Sequence, residues 1–380
     1  MNAIGKEVLF LHTKEGNPRN GEGTFARLKD GRLLHLYTEY YGTAWQDDAI
    51  AHLCACYSAD EGETWTAPMV LIEKEPSYEN IMSPGLVRLQ NGELGLTYLV
   101  KEKVAGSAAI TCMPVFRSSA DEGKTWTEPV KCCAVPGYYC AINDGAIVEK
   151  NGRILIPMGL HGPSFDPTAK LGQPRYSGRV VLACSYDNGK TWGMLPHVFY
   201  SPFEDTAGLA EPGVYAHEDG ELWMWCRTAY GHQYQSFSRD GGMTWSPVTP
   251  NLFFTSPDSP MRIKRVGKYT VAVFNPLPYS CLRTDHSVRG NTKRTPLACA
   301  VSLDDGHSLH AKGVTASAGA LVPMNPCVRL LEDDYSDSYC YPSIIEVKDG
   351  FLVAYYHSDG SDHTLNSTKI LKVRFDELGM

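Results

Sequence analysis

Six times along the chain an apolar run, a glycine turn and a second apolar run follow one another. In LVRLQNGELGLTY the turn falls at Gly92, and relatives surround Gly31, Gly152, Gly220, Gly267 and Gly350. The alternation of apolar and polar positions in GRLLHLY and GFLVAYY is that of half-buried strands, so each stretch predicts a hairpin. Five of the six hairpins are followed by a second repeated phrase, Ser-x-Asp-x-Gly-x-Thr-Trp. It runs from Ser58 to Trp65, Ser119 to Trp126, Ser185 to Trp192 and Ser238 to Trp245, with a worn copy from Ser302 to Leu309 in which Ser and Leu replace Thr and Trp. An Asp side chain accepts bonds from backbone N–H groups a few residues on, and Gly supplies a left-handed backbone, so Asp-x-Gly makes a turn. The Thr and Trp that follow favour a strand, and the Trp can bury between layers. The unit is therefore strand, glycine turn, strand, longer loop, strand, Asp turn, strand. Repeated six times, it predicts an all-β chain, a six-bladed β-propeller of four-stranded antiparallel blades. Glu7–Thr13 and Lys369–Phe375 also read as strands, one completing the last blade with the other.

Composition narrows the picture. A length of 380 residues would by itself imply two or three domains, but a propeller absorbs 1–380 as one domain. The net charge of −8 argues against nucleic acid or an anionic membrane as partner. No apolar run approaches the ~20 residues of a membrane span. The N-terminal MNAIGKEVLF lacks a basic stretch followed by an apolar one, which predicts a cytoplasmic location. The twelve cysteines form no C-x-x-C pair and are expected to be reduced, with those in strand-like runs buried. No His, Asp or Cys cluster has metal-ligand spacing in sequence, so neither metal nor cofactor is expected. Five equivalent aspartates (Asp60, Asp121, Asp187, Asp240 and Asp304) suit a scaffold better than a site.

Blade topology then locates the chemistry. Both sets of turns, glycine and Asp, fall on one face, so functional side chains belong on the other. The segments leading into each first strand and leaving each second strand carry Arg19, Glu22, Asp47, Asp48, Asp144, His161, Glu211, Arg227, Arg294, Tyr339, Tyr341 and His357.

The chain at this point resembles the sialidase (neuraminidase) superfamily, six-bladed propellers bearing these Asp boxes. That family's site holds three arginines on the substrate carboxylate, an Asp acid/base, and a Tyr nucleophile with a Glu partner. In EPGVYAHEDGELWMWCR, Glu211 and Arg227 match the family's Glu, glycine hairpin and arginine at strand end. Arg294, ahead of a strand and Asp box in RTPLACAVSLDDG, resembles the third arginine. YCYPSI resembles the nucleophile segment, with Tyr341 the first choice and Tyr339 the second. Asp47 or Asp48 resembles the acid/base. Two positions depart from the pattern. Gly21 stands about where the family has its first arginine, with Arg19 two residues earlier, and His357 stands near the place of the Glu that supports that arginine. Glu22, Asp144, His161 and His357 are polar residues additional to the family pattern.

The resemblance implies a retaining exo-glycoside hydrolase acting on a terminal, acidic sugar of a glycan. Tyr341 would attack, Glu211 would take its proton, Asp47 or Asp48 would protonate the leaving oxygen, and Arg227 and Arg294 would hold a carboxylate. A neutral phenol approaches an anomeric centre bearing a carboxylate with less repulsion than a carboxylate nucleophile would. Two other functions share these residues. One is a uronic-acid-directed lyase in which His161 or a Tyr moves the C5 proton. The other is a glycan-binding propeller without catalysis.

Overall fold

The computed structural model describes residues 3–106, 109–161, 178–202, 208–278, 294–310, 327–358 and 365–379. Most of the loop segments 161–176, 275–294 and 357–363, placed on the functional rim from sequence, lie outside these residues. The regular structure described is strands, with two short 3-10 turns. Each glycine hairpin and Asp turn forms where the pattern predicts. Arg19–Arg27, Leu33–Tyr40, Ala51–Ser58 and Met69–Ile72 make one antiparallel sheet in chain order. Ala210–Ala216 to Thr249–Thr255 and Arg262–Val266 to Cys327–Glu332 make two more. Lys6–Leu11 pairs antiparallel with Ser367–Arg374, so the N-terminal strand is the outer member of the sheet that ends the chain.

The second and third units differ from the expectation of separate four-stranded sheets. Tyr138–Cys140 runs parallel to Ile110–Ser119 at Tyr138 and Cys112, and antiparallel to Ile154–His161. This short strand stitches the two units into one nine-stranded sheet. The first strand of the third unit is reduced to Ile147–Val148 and its last to Gly193–Met194.

The apolar core lies between neighbouring sheets. Leu155, Val180 and Leu182 of the third unit pack with Val214, Leu222 and Met224 of the fourth. Val271, Val273 and Cys299 pack with Phe351, Val353 and Leu371. First strands touch in succession, Arg19–Arg27 against Asn80–Arg88, Ala210–Ala216 against Arg262–Val266, and Tyr339–Val347 against Arg19–Arg27. All cysteines among the described residues are free. No helix among them is long and apolar enough to cross a membrane.

The Asp boxes are fasteners. In the first, Asp60 accepts bonds from Ser58 Oγ (2.8 Å), Thr64 N (2.9 Å) and Thr64 Oγ1 (2.6 Å), and Trp65 Nε1 donates to Gly62 O at 3.2 Å. The same bonds recur at Asp121, Asp187 and Asp240. Ser185 is buried, donating to Asp187 at 2.8 Å and accepting from Gly189 N at 2.9 Å. Ser185→Ala strands that N–H and should cost about 1–3 kcal/mol in denaturant unfolding, with activity unchanged.

Candidate functional site

Four first strands share one irregularity. Between Gly21 and Thr24, Met82 and Gly85, Ala210 and Gly213, and Cys340 and Ser343, the strand carries one residue more than its partner. In each bulge a non-glycine residue adopts a left-handed backbone: Glu22 (φ 53°), Ser83 (φ 56°), Glu211 (φ 43°) and Tyr341 (φ 53°). Asp144 does the same in the third unit (φ 57°). Such a conformation costs of order 1–3 kcal/mol per residue, and a bulge re-aims its side chain. All five positions are followed by Pro or Gly, and all sit near the strand end opposite the glycine turns.

Three of these bulges build one charged cluster. Tyr341 OH donates to Glu211 Oε1 at 2.5 Å, and Arg227 Nη1 donates to Glu211 Oε2 at 2.6 Å. Arg227 Nη1 also lies 3.5 Å from Tyr341 OH, and its Nε donates to Asp258. Arg294 stacks over the Tyr341 ring at 5.7 Å and donates through Nη1 to Cys340 Sγ at 3.1 Å. Its Nε is buried with no acceptor among the described residues. Burial and then Glu211 push the Tyr341 phenol well above its ordinary value, while Arg227 and Arg294 pull against them.

On the other side of the cleft, Arg19 donates to Asp47 Oδ1 (2.6 Å), Tyr356 OH (2.8 Å) and Glu22 Oε1 (3.2 Å). Its guanidinium lies over the rings of Tyr40 and Tyr356 at 4.7 and 5.1 Å. Ser83 donates to Glu22. Lys101 Nζ, on a buried side chain, donates to the Asp47 carbonyl at 2.5 Å. A cavity of about 60 Å³ is lined by Glu22, Asp47, Lys101, Glu211 and Tyr341, joining the two groups. Burial raises the Glu22 carboxyl to about 7 against the pull of Arg19, and Asp47 adds to the rise. Desolvation would raise Asp47 too, but Arg19 and Lys101 outweigh it and hold that carboxyl at about 2. A phenol facing a carboxylate, with guanidinium or ammonium groups on both sides, can bind an anion next to an acceptor for the phenol proton.

The structure thus brings together Tyr341, Glu211, Arg227, Arg294, Arg19, Glu22 and Asp47. His161 ends its strand beside them, its Nε2 and Glu211 N both within 3.4 Å of where a Gly159 Cβ would lie. Four sequence-predicted residues are elsewhere. Tyr339 is fully buried, packed on Tyr355 and His357 with its OH toward Asp334 O, because alternation sends it to the opposite side from Cys340. Asp48 is exposed and makes none of the contacts that Asp47 does. Asp144 is buried between first strands, accepting from Thr24 Oγ1 (2.9 Å) and Lys264 Nζ (2.6 Å). His357 pairs with Asp337 at 3.5 Å and packs on Phe10 and Tyr339. Asp258, Lys101, Ser83 and Tyr356 enter the site without having been singled out. Asp258 and Ser83 lie on predicted rim segments, and a residue followed by Pro-Gly was the signal available for Ser83.

Position 21 has no room for a side chain. A Cβ there would lie 1.7 Å from Tyr356 Cε1. The Tyr356 ring fills the space that any side chain at 21 would need, and Arg19 reaches the same ring from two residues earlier.

Comparison with known proteins agrees with this architecture. No curated protein sequence matches the chain. Among solved structures, a protein of unknown function from Dyadobacter fermentans is 18% identical with a TM-score of 0.72, covering 97% of this chain and 99% of that one. The NanB sialidase of Streptococcus pneumoniae is 13% identical with a TM-score of 0.67, covering 99% of this chain and 71% of the other. A leech intramolecular trans-sialidase is 13% identical with a TM-score of 0.63, over 98% and 70%. At these identities the likeness concerns fold. Residues 55–354 match the BNR repeat-like domain. The chain belongs to the BNR repeat-like domain family.

Proposed function

We propose that this protein is a retaining exo-glycoside hydrolase for a terminal acidic sugar, built on a closed ring of six blades. The observation that carries the reading is the chain Tyr341–Glu211–Arg227, with bonds of 2.5 and 2.6 Å. Glu211 takes the phenol proton as Tyr341 Oη attacks the anomeric carbon and the bond to the leaving oxygen breaks, while Arg227 and Arg294 stabilise the phenolate character on Tyr341 Oη. Water then hydrolyses the glycosyl–Tyr341 bond, Asp47 taking the water's proton and Glu211 returning one to the phenol. Arg294, with a spare buried donor, receives the substrate carboxylate. Asp47 supplies the proton to the leaving oxygen. At about 2 its carboxyl is ionised beside Arg19 and Lys101, and a ligand anion that draws Arg19 away from it lets it hold that proton. Binding of an acidic substrate and arming of the acid are then one event.

The test is a panel of aryl glycosides of sialic and uronic acids, together with acidic oligosaccharides. A free reducing sugar is expected. An unsaturated product absorbing in the near ultraviolet would mean a lyase, and turnover of none would mean a binding protein.

A pH dependence follows from Glu22. Arg19, Asp47, Glu211, Ser83 and Tyr356 surround it. Below about 7 it is neutral and leaves Arg19 to a ligand anion, and above that it is ionised and competes for Arg19. Affinity for an acidic sugar should fall as pH rises through about 7, and Glu22→Gln should flatten the profile, read by calorimetric titration. Stability carries the same sign. The folded value lies above the unfolded one, so the contribution is present below about 4.5 and is lost as pH rises through 7.

A further inference from the structure

The worn fifth phrase reads SLDDGHSLH, and what replaces its Thr and Trp is a 3-10 turn, His307–His310. Leu309 is buried, and Ser308 Oγ takes over the bond to Asp304 at 3.0 Å. The departure from the repeat therefore delivers two histidines, His307 and His310, to the neighbouring HEDGE hairpin of the fourth unit. There the buried His217 places Nε2 2.8 Å from His310 Nε2. His307 stacks on His217 with ring centroids 4.4 Å apart and an interplanar angle of 11°. Donor atoms of His217, Glu221, His307 and His310 all lie within 4.8 Å of one another.

We infer that these four residues form a binding site for one divalent transition-metal ion of the zinc class. Three imidazoles and one carboxylate are a donor set suited to zinc, nickel or cobalt, and the side chains would turn to bring their donor atoms to about 2.0–2.2 Å from the ion. The two Nε2 atoms at 2.8 Å can share a single proton between them, and a cation that replaces the proton takes both lone pairs as the rings move apart to metal–nitrogen distance. On the far side of the His217 ring, Nδ1 lies 3.5 Å from Asp305 Oδ2, the position from which a carboxylate orients a metal-bound histidine. Trp223 and Phe237 pack on His310, giving the site an apolar wall. A cavity of about 570 Å³ reaches both Glu221 and His310, so an ion has a path in. Arg239, at 3.0 Å from Glu221 Oε1, is the cation that a metal would displace or share with that carboxylate. The site lies on the turn-bearing face, away from Tyr341, and holds whether or not the hydrolase reading does.

The test uses the whole 380-residue chain, stripped with a chelator and returned to metal-free buffer. After titration with Zn²⁺ and gel filtration, elemental analysis should find one zinc per chain. Co²⁺ should give the intense visible bands of a four-coordinate nitrogen–oxygen site. The exposed His307 is replaceable without touching the core, so His307→Ala should keep the metal-free thermal midpoint and weaken zinc binding by more than the about 10–100-fold that loss of an outer-shell partner costs. Glu221→Gln should weaken it too. Substoichiometric uptake by the unaltered protein overturns the inference. So does uptake unchanged in His307→Ala with Glu221→Gln, or uptake lost in His52→Ala, which would move the metal to the Glu39, His52 and Cys54 group on the first sheet.

Discussion

Tyr341→Phe is expected to lower kcat by about 1,000-fold or more, with little change in affinity for a non-hydrolysed acidic sugar. The substitution removes one oxygen and keeps the ring that packs edge-on to Tyr356 and lies under Arg294. The Glu211–Arg227 pair keeps its 2.6 Å bond, so no charge is left unpartnered and the thermal midpoint should stay near that of the parent. Glu211→Gln removes the acceptor for the phenol proton and should cost about 100- to 10,000-fold, the usual range for a general base. Because the two residues act as a unit, the double variant should be little worse than the worse single one. Arg227→Lys is expected to hurt as well, since a single ammonium cannot reach both Glu211 and Asp258 as the guanidinium does. Normal turnover by both Tyr341→Phe and Glu211→Gln would remove these residues from the mechanism.

The repeated hairpins and Asp turns were legible because their information is local. A glycine at a turn or an Asp two residues after a Ser acts on its own few neighbours, and each forms as read. The site was legible to the extent that topology gathers strand ends. Glu22, Glu211, Tyr341, Arg227 and Arg294 fell on the predicted rim and meet there. What sequence spacing could not give was the direction of each side chain. The one-residue bulge decides it, and a bulge is a property of two strands in register. Tyr339 and Tyr341, both in YCYPSI, illustrate the difference: one is sealed behind the sheet and the other faces the cleft. Asp144 shares the left-handed backbone of the bulge residues, but Thr24 and Lys264 close over it. The histidine group was invisible for another reason. His217 and His310 are 93 residues apart, and only the packing of the fourth unit against the fifth brings them together. The link that Tyr138–Cys140 makes between two units likewise depends on neighbours and not on its own three residues.

Gly21→Ala carries the second large expectation, and it tests why the first-arginine position is empty of a side chain. The added Cβ would meet Tyr356 Cε1 at 1.7 Å and Cζ at 2.0 Å, distances that no small adjustment relieves. Tyr356 cannot swing out freely, because it is fully buried, receives a bond from Arg19 Nε and lies beside Tyr341. The conflict should destabilise the protein by about 3 kcal/mol, at the upper end of overpacking, measured by denaturant unfolding. It should also weaken acidic-sugar binding, since displacing the ring disturbs the Arg19 network with Asp47 and Glu22. Tyr356→Ala alone opens a cavity and is expected to cost about 3–5 kcal/mol. The two changes relieve each other: in the double variant the methyl enters the space the ring has left. Its cost should fall short of the sum by about 1–3 kcal/mol, the coupling expected of residues in direct contact. Strict additivity would mean that Tyr356 is not what excludes a side chain at 21. A strong coupling would assign the departure at this position to a tyrosine that has taken over the space of an arginine, leaving Arg19, two residues earlier, to supply the charge.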